Sequence, residues 1–208
     1  MAKNIAVLVS GGGTNLQALI DAEQRGEIVN GKITAVIAST PEAYALERAA
    51  KAGIPGYVVS RKQYDSNRAM TVALVEKLHE LNIDLVVLAG FMTILTGEMV
   101  QAFPNAILNI HPALIPSFAG PGCYGLHVHE KALAYGVKLS GATVHFVSEE
   151  CDGGPIVLQK AVEVLPDDTP EVLQRRIMEQ CEWKLLPQAA SLFCQDRLKV
   201  EGRRVRIL

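Results

Sequence analysis

The chain has 208 residues, 49% of them hydrophobic and 20% charged, with a net charge of −2 and a pI near 6.2. That length suits one well-buried core and is short for two full domains, so residues 1–208 are expected to form a single domain. The slightly acidic balance offers no basic field for nucleic acid or an anionic membrane, and the apolar runs at 5–9 and 85–89 are too short to span a bilayer. The first run breaks at once into Ser10 and glycines, unlike a signal peptide, and Cys123, Cys151, Cys181 and Cys194 show no C-x-x-C spacing. A cytoplasmic protein with free thiols is expected.

Residues 5–9 (I-A-V-L-V) read as a buried strand, followed by S-G-G-G-T-N and a helical pattern from Leu16 to about Gln24. Strand, glycine-rich turn and helix start present backbone N–H groups and a positive helix end to a phosphate. The turn is neither G-x-G-x-x-G nor a P-loop, which argues against a dinucleotide or a nucleoside triphosphate. The plain structural alternative is a tight turn with Thr14 as N-cap. A second strand is predicted over 32–39, a helix over 41–51 ending at Gly53, and a short strand over 57–59. A helix from Asp65 to Leu81 has Met70, Val72, Leu74, Val75 and Leu78 spaced for its inner face, with His79 at solvent near its end. Residues 85–89 form the cleanest central strand. The apolar loop 90–95 leaves it, as core or as the wall of a flat ligand pocket, and a helix follows over 96–103.

The stretch I-L-N-I-H-P-A-L-I-P-S (107–117) begins as a strand and is turned away at His111 by Pro112 and Pro116. Asn109 and His111, on the same side of that strand, are delivered to its carboxyl end, where open α/β sheets bind ligands. An amide donor beside an imidazole suits a reaction in which a carbonyl oxygen gains negative charge while an amine loses a proton. A proline- and glycine-rich loop, 117–125, then leads to a helix from about Leu126 to Tyr135. Strands over 140–147 and 156–164 have a joint too short for a crossover, so they should pair antiparallel. A final helix runs from Pro170 to about Leu186, with Thr169 as N-cap and a kink or restart at Pro187. The whole predicts an α/β fold: a Rossmann-like, doubly wound parallel sheet, then an antiparallel strand pair and a long helix.

Asp152 precedes two glycines, where an Asp is most often a turn residue. Within about 4 Å of His111 it would stabilise the imidazolium and hold its tautomer. Asn109, His111 and Asp152 then supply an oxyanion donor, a general acid/base and its orienter. A serine nucleophile lacks its G-x-S-x-G elbow, and Cys151 is blunted by the adjoining Asp152 charge. In H-V-H-E (127–130), a helix sends His127 and His129 about 200° apart, so they read as surface residues at the helix start rather than as metal ligands.

The motifs S-G-G-G-T-N-L-Q, A-G-F-M-x-I-L, L-N-I-H-P-A-L-I-P-S-F, T-V-H-F-V and D-G-G-P-I occur in this order over nearly the whole chain. Together they resemble the folate-dependent formyltransferases, and the opening S-G-x-G-[ST]-N and the length resemble their phosphoribosylglycinamide branch. The resemblance implies 10-formyltetrahydrofolate as cosubstrate, phosphoribosylglycinamide as acceptor, no metal, small-molecule partners only, and a monomer or homodimer. It implies that Asn109, His111 and Asp152 are the catalytic trio, and that Gly13, Thr14 and Asn15 hold the phosphosugar with Pro112 and Glu182. It further implies that Met92, Thr93, Ile94 and Leu95 receive the pterin ring, with Arg68, Asn109 and the turn of Ser148, Glu149, Glu150, Cys151 and Asp152. A phosphate-binding half is then expected over about 1–105 and a folate-binding, catalytic half over 106–208.

The chain departs from the family pattern in four places. Thr93 stands where an Arg is common, and Trp183 where a His often follows Glu182. The folate-proximal Arg falls at Asn67 or, shifted by one, at Arg68, and the loop 119–124 is longer than in some relatives. A methionyl-tRNA formyltransferase would need an appended basic domain. A formyltetrahydrofolate hydrolase would add an N-terminal regulatory domain to the same trio. The alternative from a different class is a non-catalytic phosphosugar- or folate-binding protein on this fold.

Overall fold

In the computed structural model, which describes residues 2–208, the strands with no polar side lie at the centre. β1 (Lys3–Val9) and β4 (Leu85–Leu88) bury nearly every side chain, as strands covered on both faces do. They pair in parallel with each other, and β2 (Gly31–Ala38), β3 (Gly56–Val58) and β5 (Ile107–His111) extend the run in the order β3-β2-β1-β4-β5. The winding reverses between β1 and β4, the crevice at which doubly wound sheets take ligands.

Helices cover both faces. α1 (Thr14–Gln24) and α2 (Ala45–Lys51) pack Leu16, Leu19 and Ala49 against Val7 and Val36; α3 (Asn67–Glu80) and α4 (Gly97–Ala102) pack Met70, Leu74 and Met99 against Leu8 and Val86. Two details differ from expectation. Val72 is 38% exposed, because it sits about 200° around the helix from Met70. Thr71 takes the inner place, its hydroxyl donating to the Asn67 carbonyl and accepting the Thr96 N–H. α2 also starts later than predicted, where the Ala45 N–H donates to the Gly11 carbonyl and ties it to the glycine turn.

Beyond β5 the sheet changes direction. α5 (Leu126–Tyr135) leads into β6 (Leu139–Phe146), which runs antiparallel to both β5 and β7 (Ile156–Glu163). Thr169 caps α6 (Pro170–Ile177) by accepting the Val172 N–H, as predicted. The long helix is broken by a π-turn over Met178–Glu182, not at Pro187, which lies inside α7 (Trp183–Cys194). That wider turn re-aims the chain ahead of the proline and leaves Cys181 and Glu182 buried. A hairpin that the sequence patterns do not predict, β8 (Leu198–Glu201) with β9 (Arg204–Ile207), completes a nine-stranded sheet beside β7. Its strands are short and half charged, so their alternation is too brief to stand out. Among the described residues no helix is long and apolar enough to cross a membrane.

Candidate active site

The glycine turn delivers the start of α1 to the crevice. Gly13 closes it with φ 71°, and a Cβ there would meet the Ala45 Cβ at 2.7 Å, so the position needs glycine on two counts. Gly13, not Thr14, is the N-cap, and no side chain caps the helix; Thr14 is its first residue. The first-turn N–H groups therefore face the crevice without a protein side chain on them, the arrangement an anion uses. Arg48 braces the turn from α2, donating to the Gly12 carbonyl at 2.7 Å. Asn15 donates at 2.7 Å to Glu182, which the π-turn presents from the far end of the chain. Burial pushes the Glu182 carboxyl up to about 7, the Asn15 hydrogen bond pulling it back only in part. The side-chain oxygen of Asn15 is buried without a partner among the described residues.

The second cluster forms where β5 and β6 meet. Leu108 and Ile110 point into the core, so alternation sends Asn109 and His111 to the other side. Asp152 reaches them from the turn after β6. Its carboxylate lies 3.5 Å from His111 Nδ1 and 3.7 Å from His145 Nε2, and accepts the Gly120 N–H at 2.9 Å. The predicted convergence is therefore present. The adjoining glycines permit it: a Cβ on Gly154 would stand 1.8 Å from the Phe146 carbonyl oxygen. Asp152 itself has φ 53°, a left-handed conformation that a short polar residue tolerates.

His145 is a member of this cluster that sequence reasoning missed. It is the register partner of Asn109 across the β5–β6 pairing, and its Nε2 lies 3.1 Å from the Asn109 side-chain nitrogen. Its Nδ1 donates to the Phe146 carbonyl at 2.8 Å, so in the neutral ring Nε2 is the acceptor. The signal was the T-V-H-F-V strand, which becomes informative only once β5 and β6 are known to pair antiparallel. His111 Nε2 donates to the Phe118 carbonyl at 2.8 Å, so the loop after β5 occupies that donor.

Protonation departs from the expectation. Burial lowers the proton affinity of His111, and the Asp152 charge and the Phe118 carbonyl restore only part of it, leaving the ring below the usual imidazole range. Asp152 was expected to keep the ring charged; desolvation at 4% exposure outweighs a carboxylate at 3.5 Å. Burial also pushes the Asp152 carboxyl up, but the His145 ring, the His111 charge and the Gly120 N–H together bring it below the usual carboxylate range.

The two stretches assigned to folate lie side by side. The Met92 N–H donates to Ser10 Oγ at 2.8 Å, which ties that loop to the glycine turn. Met92 and Ile94 are exposed, while Thr93 and Leu95 flank them in the same loop. A Cβ on Gly97 would meet Glu149 Oε1 at 3.1 Å, so the turn containing Ser148, Glu149, Glu150 and Cys151 abuts the loop. Arg68 is exposed and pairs with Glu98 at 2.5 Å, whereas Asn67 accepts from Arg61 at 2.7 Å. Pro112 follows His111 directly and is half-buried. The Cys151 thiol is pushed up by burial and by Asp152, as expected for an inert neighbour.

His127 is exposed and pairs with Glu130, but His129 is fully buried, correcting its placement at the surface. On a helix these two residues point to opposite sides, and α5 turns the second inward. Burial, with the nearby His111 charge, pushes His129 down to about 4, and neither of its nitrogens has a partner among the described residues.

Residues 3–190 match the family model described as formyl transferase. A phosphoribosylglycinamide formyltransferase of Haemophilus influenzae is 45% identical over 199 residues, 96% of this chain and 91% of that protein. The crystal structure of glycinamide ribonucleotide transformylase 1 from Symbiobacterium toebii superposes with a TM-score of 0.94 at 48% identity, covering 100% of this chain and 94% of that one. A formyltetrahydrofolate deformylase from Pseudomonas syringae superposes with a TM-score of 0.88 at 26% identity, over 100% of this chain and 66% of that one.

Proposed function

The chain belongs to the formyl transferase family, and from that footing we propose that it moves the formyl group of 10-formyltetrahydrofolate to the amine of phosphoribosylglycinamide. It is a one-carbon group transferase acting in purine synthesis. The observation that carries the mechanistic reading is the convergence of Asn109, His111 and Asp152, from one strand and a distant turn, at the carboxyl end of β5.

The phosphate sits on the first-turn amides of α1 at Gly13, Thr14 and Asn15, and Glu182 accepts from the sugar hydroxyls, with Pro112 alongside. The pterin ring lies between Met92, Thr93, Ile94 and Leu95 and the turn of Ser148, Glu149, Glu150, Cys151 and Asp152, with Arg68 at the outer edge. Residues 1–105 thus supply most of the phosphosugar contacts and residues 106–208 the catalytic groups, although each ligand draws on both halves. Both ligands are small molecules and no metal takes part. The four cysteines are free, which fits a reducing compartment, and we place the enzyme in the cytoplasm as a monomer or homodimer.

The substrate amine attacks the formyl carbon and produces a tetrahedral oxyanion. Asn109 donates to that oxygen from its amide. His111 donates from Nε2 after the Phe118 carbonyl has yielded the N–H. His111 is largely neutral before reaction, and the growing negative charge beside Nε2 adds to the pull of Asp152 and raises the ring's hold on a proton. Asp152, ionised at neutral pH, accepts the proton lost by the amine, directly or through water, and it passes to the departing folate nitrogen. His145 fixes the Asn109 amide from the side.

The likeness to a deformylase supports a second reading in which water replaces the amine. Loss of 10-formyltetrahydrofolate, followed with and without phosphoribosylglycinamide, separates the two. Turnover only with the amine supports transfer, turnover without it supports hydrolysis, and binding without turnover leaves neither enzyme reading standing.

A further inference from the structure

On the outer side of α7 lies a groove of about 530 Å³ that the proposed reaction does not use. Trp183 lines it near the start of α7, Gln188 and Gln195 lie along it, and Arg25, Lys184 and Arg197 add positive charge. Its acidic member, Glu27, is held by both donors of Arg25 at 2.7 and 2.9 Å, so that pair cancels. Lys184 has no ion-pair partner among the described residues. Arg197 gives Nε to a main-chain oxygen of the last residue, Leu208, at 2.7 Å and keeps its two terminal nitrogens. The groove is thus net cationic at one aromatic wall. The indole N–H of Trp183 is shielded and has no partner among the described residues.

We infer that this groove is a second binding site, for a nucleotide, with the base stacked on Trp183 and the phosphates held by Lys184 and Arg197. Aromatic stacking and cation–phosphate pairing are the two contacts such a ligand needs, and the Gln188 amide between them suits a sugar or base edge, while the Gln195 amide nitrogen donates to Ser191 and leaves its oxygen for the ligand. From Trp183 to Gln195 the helix rises about 18 Å, long enough for a base, a sugar and more than one phosphate.

Trp183 is the single tryptophan of the chain, so its fluorescence reports occupancy directly. AMP, ADP and ATP, titrated in turn, are expected to quench it saturably, with Kd below about 1 mM and tighter binding as phosphates are added. Inorganic phosphate alone should leave it unchanged. The surface variant Lys184→Glu/Arg197→Glu should weaken ATP at least about tenfold, since it reverses both cations. Trp183 adjoins Glu182, so each titration is repeated with ribose 5-phosphate filling the other site; quenching by ATP should persist. Absence of saturable quenching, displacement of ATP by ribose 5-phosphate, or an unchanged Kd in the charge-reversed variant would each overturn the assignment. Calorimetry on the unmodified protein measures the same binding without the fluorophore. None of these readouts depends on formyl transfer, so the groove and the proposed reaction stand or fall separately.

Discussion

The two ends of the crevice solve opposite problems. Around β5 and β6 the polar groups have protein partners: Asp152 accepts the Gly120 N–H with both histidine rings within 3.7 Å, His111 donates to the Phe118 carbonyl, and His145 donates to the Phe146 carbonyl beside the Asn109 amide. Around α1 the Glu182 carboxylate has one hydrogen bond, from Asn15, whose own oxygen is left without a partner. The first cluster keeps its shape with no ligand, which suits groups that must be aligned as charge develops in a transition state. The second leaves the buried Asn15 oxygen without a partner among the described residues, which costs stability and reserves it for a ligand. Preorganisation for chemistry and an unpaired acceptor for binding are thus separated along one sheet edge.

Removing members of the first cluster tests that contrast most severely. Asn109→Ala and His111→Ala are each expected to lower kcat by about 10²–10³ while leaving the melting transition in place, and the double variant should be little worse than the worse single one. Near-normal turnover in His111→Ala would remove its proposed role. Asp152→Asn should cost roughly as much. Because Asp152 raises the proton affinity of His111 against its burial, its loss should move the pH limb that reports His111 to lower pH, as read from kcat profiles.

Gly154→Ala sharpens the same point without touching a polar group. Its Cβ would collide with the Phe146 carbonyl oxygen, so the Asp152 turn must shift, and a displacement of about 1 Å should cost roughly 100-fold in kcat. Intact turnover with an unmoved turn would show that the close approach is incidental.

At the other end the expected effect is on binding. Glu182→Gln should raise KM for phosphoribosylglycinamide about tenfold with a smaller change in kcat. For the unmodified enzyme, KM should rise as pH falls through about 7, where Glu182 takes up a proton, and the glutamine variant should lose that dependence. Stability moves the opposite way. A carboxyl raised from 4.5 to about 7 on folding stabilises fully below 4.5 and loses that contribution as pH rises through 7. Relative to the unmodified protein, Glu182→Gln should therefore gain stability as pH rises from about 4.5 to about 7 and level off above it, by on the order of 3 kcal/mol at most, in thermal melts at the two ends of that window.

The smallest effect is expected at the outer edge of the folate stretch. Arg68 is exposed and its pair with Glu98 is open to solvent, so Arg68→Ala should leave the melting transition unchanged. Its KM for the folate should rise less than about threefold, well short of the change at Glu182.

Much of this was legible because it rests on local pattern. Continuous apolar runs placed β1 and β4 at the centre, the capping Thr169 started α6, and α5 lies where its pattern put it, from about Leu126 to Tyr135. Asn109 and His111 were readable from a polar alternation cut short by proline, and Asp152 from the glycines beside it. His145 was not, because its meaning lies in which residue faces it across a strand pairing. The π-turn that presents Glu182 leaves no period of its own in five residues, and the charged hairpin β8–β9 has too little alternation to register.

By itself, then, the sequence determined the strand and helix menu, the glycine turn before α1 and the three residues proposed for catalysis, since each is written in neighbours along the chain. Tertiary structure alone decided that His145 joins that trio in space, that His129 lies buried, and that His111 is short of a proton before any ligand arrives. The reason is desolvation. A side chain's charge and partners are set by what is packed around it, and for these histidines the packing comes from distant parts of the chain.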